Sequence, residues 1–141
     1  MAQFLAFQLG ESQCVFPVAA IQEILPTVAL SRVPGQELPV EGMLNLRGTL
    51  LPVLDLRSCF GLAPAEWKGQ TRIIVIKTQK LRVGVVVDGV EDVVEMEETE
   101  TTPPAGGSSE LVGAVLSLSG KALTLLRPER LAEFVKRLSP G

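Results

Sequence analysis

Short apolar runs closed by Gly, Pro, Asp or Ser recur along the whole chain, the pattern of strands joined by tight turns. Phe4-Leu5-Ala6-Phe7-Gln8-Leu9, then Gly10-Glu11-Ser12, then Cys14-Val15-Phe16-Pro17-Val18 read as strand, turn and strand. Ala19 to Leu25 suits a short helical turn leading into another strand, which Pro26 ends. Pro34-Gly35 and Pro39 mark a surface loop between Thr27 and Gly42. Met43 to Leu46, Arg47-Gly48 and Thr49 to Leu54 form a predicted hairpin turning at Arg47-Gly48. Asp55 to Gly61 is expected as a short helix or turn, and Pro64 to Gly69, with the only Trp, as a connector.

The second half repeats this rhythm. Ile73 to Ile76, a turn through Gln79-Lys80 and Leu81 to Val87 come first, followed by a bend at Asp88-Gly89 and the apolar positions Val90, Val93 and Val94. Thr101 to Ser109 is expected as an exposed, mobile loop, and Leu111 to Leu118, Ser119-Gly120 and Ala122 to Leu126 as another hairpin. The period then changes. Leu131, Phe134, Val135 and Leu138 fall at i, i+3, i+4 and i+7, with Glu129, Arg130, Glu133, Lys136 and Arg137 on the other face, which predicts an amphipathic helix over 128–138 docked on the core. Pro128 suits its first turn, and Glu133 with Arg137 its exposed face.

Two constant offsets lay one half over the other, the first carrying Phe4 onto Ile73 and the second carrying Gly48 onto Gly120. Under the first, Phe4-Leu5-Ala6-Phe7 falls on Ile73-Ile74-Val75-Ile76, Phe16-Pro17-Val18 on Val85-Val86-Val87, and Glu23 on Asp92. Under the second, Leu51 meets Leu123, and Val53-Leu54 meets Leu125-Leu126. One unit, 1–141, is therefore expected, with a first lobe near 12–68, a second near 70–126 and the helix at 128–138. A half of about 70 residues folds marginally alone, whereas two packed halves stabilise each other and leave a crevice suited to binding.

Composition narrows the chemistry. Hydrophobic residues make up 46% of the chain but aromatics only 4%, so the core is aliphatic, as strands favour. No apolar run is long enough to span a bilayer and the start lacks an export signal, so a cytoplasmic protein is expected. Cys14 and Cys59 read as reduced, small hydrophobes. Six of the sixteen acids, Glu91, Asp92, Glu95, Glu97, Glu98 and Glu100, lie in one short run that contains no Lys or Arg. This run reads as a solvated strand end first and an acidic docking site second. The rest of the chain then holds ten acids against thirteen basic residues, without the concentrated positive face that nucleic acid requires. Histidine is absent, which removes His-dependent triads, His-bearing zinc sites and imidazole acid/base pairs. Glu23 with Asp55 is a conceivable carboxylate pair, but no nucleophile or phosphate loop accompanies it, so neither catalysis nor a cofactor or metal is expected.

The stretch Gly42-Met43-Leu44-Asn45-Leu46-Arg47-Gly48-Thr49-Leu50-Leu51-Pro52-Val53-Leu54-Asp55-Leu56-Arg57 resembles the most characteristic segment of the CheW family, the coupling proteins of bacterial chemotaxis. Gln22-Glu23-Ile24, Val33-Pro34-Gly35, Val83-Gly84 to Val87-Asp88-Gly89-Val90 and the hairpin at Gly113 follow in the family's order. The resemblance implies an all-β fold of two intertwined, five-stranded, SH3-like barrels. It also implies a non-catalytic adaptor between the cytoplasmic tip of chemoreceptors and the regulatory domain of a CheA-type histidine kinase. Such a protein would lie in the cytoplasm, tied to membrane receptor arrays through its partners. An adaptor of a non-flagellar chemosensory pathway, or a sensor whose crevice binds a small ligand, is the competing expectation.

By the same resemblance, Glu23 and Arg57 form a facing acid and base that influence receptor binding, and Arg57→Glu weakens that contact without unfolding the protein. A bridge that simply fixes two loops is an equal alternative. The two offsets carry Glu23 to Asp92 and Arg57 to Glu129, so a charge pair belongs to one lobe only. Gly48 is expected at a positive φ first and in direct partner contact second, Arg47 exposed at the same turn and open to a partner, and Asn45 bonded locally to backbone first and a partner contact second. Val18, Ile21 and Val28 are core residues first and an apolar contact patch second. Arg127-Pro128, where relatives end a strand with an acid, and the heavy acidic run both set the second half apart.

Overall fold

The computed structural model describes residues 2–26, 39–79, 81–97, 101–102 and 110–136. Eleven strands are found among them: β1 Ala2–Leu9, β2 Ser12–Pro17, β3 Ile21–Leu25, β4 Val40–Leu46, β5 Thr49–Asp55, β6 Arg72–Lys77, β7 Arg82–Val87, β8 Gly89–Met96, β9 Thr101–Thr102, β10 Val112–Leu118 and β11 Lys121–Leu126. Helix α1 spans Leu56–Cys59 and α2 Ala132–Lys136, with 3-10 turns at Val18–Ala20 and Pro128–Leu131. The strands form two sheets, ordered β8-β1-β2-β11-β10-β9 and β3-β6-β7-β5-β4.

Each sheet draws strands from both halves of the chain. The opening hairpin β1-β2 joins the second half's β8, β10 and β11, while β6-β7 joins the first half's β3, β4 and β5. The lobes are thus intertwined. The duplication holds position by position. Phe4 faces Pro17 in β1-β2, and its counterpart Ile73 faces Val86 in β6-β7. Phe4 also faces Val94 of β8, and Ile73 faces Leu25 of β3. Under the second offset, Met43 opposite Pro52 becomes Val115 opposite Thr124. Even the bulges repeat, at Ile21/Glu23 against Leu5/Phe7, and at Val40/Gly42 against Val112/Ala114. A bulge in register with its counterpart marks a built feature of the scaffold.

Alternation along the four exchanged strands explains why their apolar runs are unbroken. Leu5, Phe7, Cys14, Phe16, Ile74, Ile76, Val83 and Val85 point into a central core between the sheets. Their neighbours point the other way: Phe4, Ala6 and Val15 into one lobe's own core, Ile73, Val75 and Val86 into the other's. A strand buried on both faces cannot alternate apolar with polar. Phe7 and Phe16 stack in the central core with ring centroids 5.1 Å apart. Gly84 lies where a Cβ would come within 3.0 Å of Ile73 and 3.1 Å of Val53, so the parallel β5-β7 contact leaves little room for a side chain there.

Two expectations need correction. Thr101 and Thr102, read as loop, pair as β9 with Leu116 and Val115, giving the first sheet a sixth strand. Nothing in their polar, turn-flanked context signals strand, and the pairing comes from β10's free edge. The closing helix begins as a 3-10 turn over Pro128–Leu131 and becomes α-helical at Ala132–Lys136. Leu131 is fully buried and Phe134 and Val135 pack on the central core, so this segment is docked as its apolar stripe predicts. Arg137 and Leu138 lie outside the described residues, as do Lys80, the loop through Pro34-Gly35 and Val28.

Among the described residues the two cysteines form no disulfide, Cys14 being buried and Cys59 partly so. Burial pushes the Cys14 thiol up from 9.0 to about 12. Because the folded thiol holds its proton where the unfolded one has lost it, stability is intact below about pH 9 and falls as pH rises toward 12. Urea unfolding followed between pH 8 and 11 is expected to show this loss, with a slope of at most about 1.4 kcal/mol per pH unit from this group, and Cys14→Val is expected to lessen it.

Candidate functional site

The β4-β5 turn is built by Arg47 and Gly48, with φ of 50° and 86°. Both values are positive, as a two-residue turn matching strand twist demands, and only Gly48 adopts one freely. Asn45 Oδ1 accepts the Gly48 N–H at 3.0 Å, the local backbone bond expected of it. Arg47 therefore stands on a rigid tip with 69% of its side chain exposed. Its guanidinium donates through Nη2 to Glu23 Oε1 and through Nη1, at 3.5 Å, to Oε2. Glu23 lies on β3, one edge of its sheet, and the turn belongs to the opposite edge, so the pair joins the two ends of a curled sheet. Exposed apolar residues accompany it: Leu50, directly opposite Asn45, and Ile24, next to Glu23. A fixed cation and carboxylate beside exposed aliphatic groups is chemistry for a protein partner.

Glu23 does not face Arg57. Helix α1 starts below the end of β5, where Arg57 turns toward the β7-β8 bend and donates through Nη1 to Asp88 Oδ2 at 2.7 Å. Its Nε donates to Ala63 O at 2.7 Å. The same Asp88 oxygen accepts the Gly10 N–H at 2.6 Å, and the Asp88 N–H donates to Gln8 O at 3.0 Å. Arg57 and Asp88 thus clamp α1, the β1-β2 turn and the β7-β8 bend, tying one repeat to the other. The physical reason for the exchange of partners is reach: Arg47 sits at the sheet edge that meets β3, while Arg57 starts a helix on the opposite end of β5. The charge pair of Glu23 still belongs to one lobe, since the counterpart of Arg47 is Ser119.

Asp55 is completely buried, yet its carboxylate is satisfied. Oδ1 accepts the Arg57 N–H at 3.1 Å, and Oδ2 accepts from Ser58 Oγ at 3.2 Å and the Ala65 N–H at 2.8 Å. It caps α1 and pins the connector that follows. With its oxygens held this way, it is no member of a carboxylate pair with Glu23. Val18 and Ile21 are partly buried and pack on the central core. Sequence reasoning passed over Asp88 as a bend residue; its one available signal was an acid before Gly89 at a predicted strand junction. Beside the clamp lies a cleft of about 410 Å³ lined by Gln8, Lys68 and Gln70 as well as Arg57 and Asp88. Among the described residues no group of three potential metal ligands occurs, and no helix is long and apolar enough to cross a membrane.

Residues 3–136 match the family described as the CheW-like domain. The chain belongs to this family. It is 26% identical over 132 residues to the chemotaxis protein CheW of Helicobacter pylori, an alignment covering 92% of this chain and 80% of that one. It is 34% identical over 98 residues to the chemotaxis protein CheW of Bacillus subtilis, covering 70% and 63% respectively. The scaffolding protein TtCheW from Thermoanaerobacter tengcongensis has the same fold, with a TM-score of 0.84 at 24% identity over 89% of this chain and 88% of that one. The all-β, two-sheet architecture is therefore that of a CheW-like domain, and at the β4-β5 turn of this CheW-like chain Asn45, Arg47 and Gly48 are exposed while Leu46 is buried in the core beneath them.

Proposed function

We propose that this CheW-like protein is a non-catalytic adaptor that couples the cytoplasmic tip of chemoreceptors to the regulatory domain of a CheA-type histidine kinase, working in the cytoplasm beside receptor arrays. The observation that carries this is the family match over residues 3–136, and the absence of histidine fits it. Two intertwined lobes with different surface charge suit two partners. The receptor contact is assigned to the first lobe's tip: Arg47, Glu23 and Asn45, the Gly48 turn that positions them, and the neighbouring Ile21. Val18, packed on the central core, belongs to the same candidate set, as does Val28 from outside the described residues. Arg57 acts on the site by fixing the scaffold.

Arg47→Glu tests the assignment. The change replaces an exposed cation by an acid facing Glu23, so it should cost the fold no more than about 1 kcal/mol, while like charge at the contact should weaken binding to a receptor-tip hairpin about tenfold or more. Calorimetric titration with a helical-hairpin receptor fragment, beside a melting curve, reads both. Unchanged affinity in the folded variant would move the receptor contact elsewhere.

A further inference from the structure

The end of the second lobe that corresponds to the Glu23 and Arg47 site keeps the scaffold but lacks the cation. The first offset carries Glu23 to Asp92 and Gln22 to Glu91, and relates Arg82 to Gln13; the second carries Arg47 to Ser119. The surroundings repeat in detail. Gln13 Nε2 donates to Glu91 at 3.0 and 3.1 Å where Arg82 Nε donates to Gln22 Oε1 at 2.8 Å. Ser119 and Gly120, with φ of 51° and 79°, reproduce the backbone of Arg47 and Gly48. Where the guanidinium would stand there is a cleft of about 260 Å³, with Asp92 and Ser119 on its rim and Val94, Leu118 and Leu123 along its walls. Among the described residues the Asp92 carboxylate has no ion-pair or hydrogen-bond partner, and Lys121, which also lines the cleft, forms no salt bridge with it.

We propose that this cleft docks an exposed β-turn of a partner protein that carries an arginine, whose guanidinium binds Asp92 as Arg47 binds Glu23 in the other lobe. The molecule itself supplies the template for the occupant: a turn residue at positive φ presenting a planar, two-pronged donor to a carboxylate at a sheet edge. Arginine suits this place better than lysine, because its fork meets both carboxylate oxygens while a single ammonium does not. Two further observations favour a protein occupant. Among the described residues strand β8 is the edge of its sheet, with no strand paired along its outer side, which suits a strand leading into or out of such a turn. The same strand carries Glu91 and Glu95, and Glu97 follows it, which biases the approach toward a basic segment. The proposal rests on the adaptor reading only in taking the occupant to be a protein, and its test uses neither receptor nor kinase, so its failure leaves that reading intact.

The probe is a short backbone-cyclised hairpin peptide with Asn-Leu-Arg-Gly-Thr at its tip, compared with a twin bearing citrulline in place of arginine. Titrated into the isotope-labelled full chain, the arginine peptide is expected to shift the amides of residues 91–94 and 118–123. The citrulline twin and the Asp92→Asn variant should each weaken binding about fivefold. Ser119→Arg should abolish it at unchanged fold, because the new side chain fills the cleft in cis from a backbone already suited to it. Equal binding of both peptides, unchanged binding by Asp92→Asn, shifts confined to other residues, or no binding at all would each overturn the proposal.

Discussion

Replacing Asp55 by alanine is expected to destabilise the protein by about 3 kcal/mol, the sum of a lost helix cap at about 1 kcal/mol and a buried N–H left without an acceptor at about 2 kcal/mol. Ala65 donates its N–H to Oδ2, and Ser58 Oγ and the Arg57 N–H share the same carboxylate, so nothing within the site substitutes for it. Asp55→Asn keeps one carbonyl oxygen for the backbone and should recover about half of the loss. Equilibrium urea unfolding of the three proteins provides the comparison. A cost below about 1 kcal/mol for the alanine variant would mean that the connector after α1 reorganises and that Asp55 is not the pin described above.

The second large effect separates two arginines that look alike in the sequence. Arg57→Glu should cost about 3 kcal/mol, because Asp88 then keeps its part-buried contact with Gly10 while facing a carboxylate in place of a guanidinium. Both side chains of this pair are about one quarter exposed, at 23% and 26%, so solvent screens them only in part. The family resemblance alone implies the reverse, a folded Arg57→Glu protein with a weakened receptor contact. Melting curves of Arg57→Glu and Arg47→Glu side by side settle the matter: a marked loss is expected for the first and little change for the second. If Arg57→Glu melts like the unmodified protein, the clamp between the two repeats is not stabilising.

Strand positions were legible because apolar runs and turn residues report local geometry directly. The repeat was legible more deeply than its low identity suggests, since the two constant offsets reproduce the observed pairings and bulges. β9 was hidden, because Thr101 and Thr102 pair through backbone groups that any residue owns. Partner choice among charges was hidden for a related reason: a side chain's neighbour depends on which sheet edges meet. The exchange of hairpins between halves decides that, and so Glu23 meets Arg47 across the curl of one sheet while Arg57 meets Asp88 across the junction between repeats. Asn45 and Gly48 were readable because turn chemistry is local.

Whether this chain holds two partners at once decides the adaptor function. A receptor-tip hairpin fixed to a surface, with the regulatory domain of a CheA-type kinase flowing over it, should retain the kinase domain strongly only when this chain is present, and Arg47→Glu should abolish that dependence. A folded, unmodified chain that binds neither the hairpin nor the kinase domain, or that binds each but never both together, would contradict the adaptor reading.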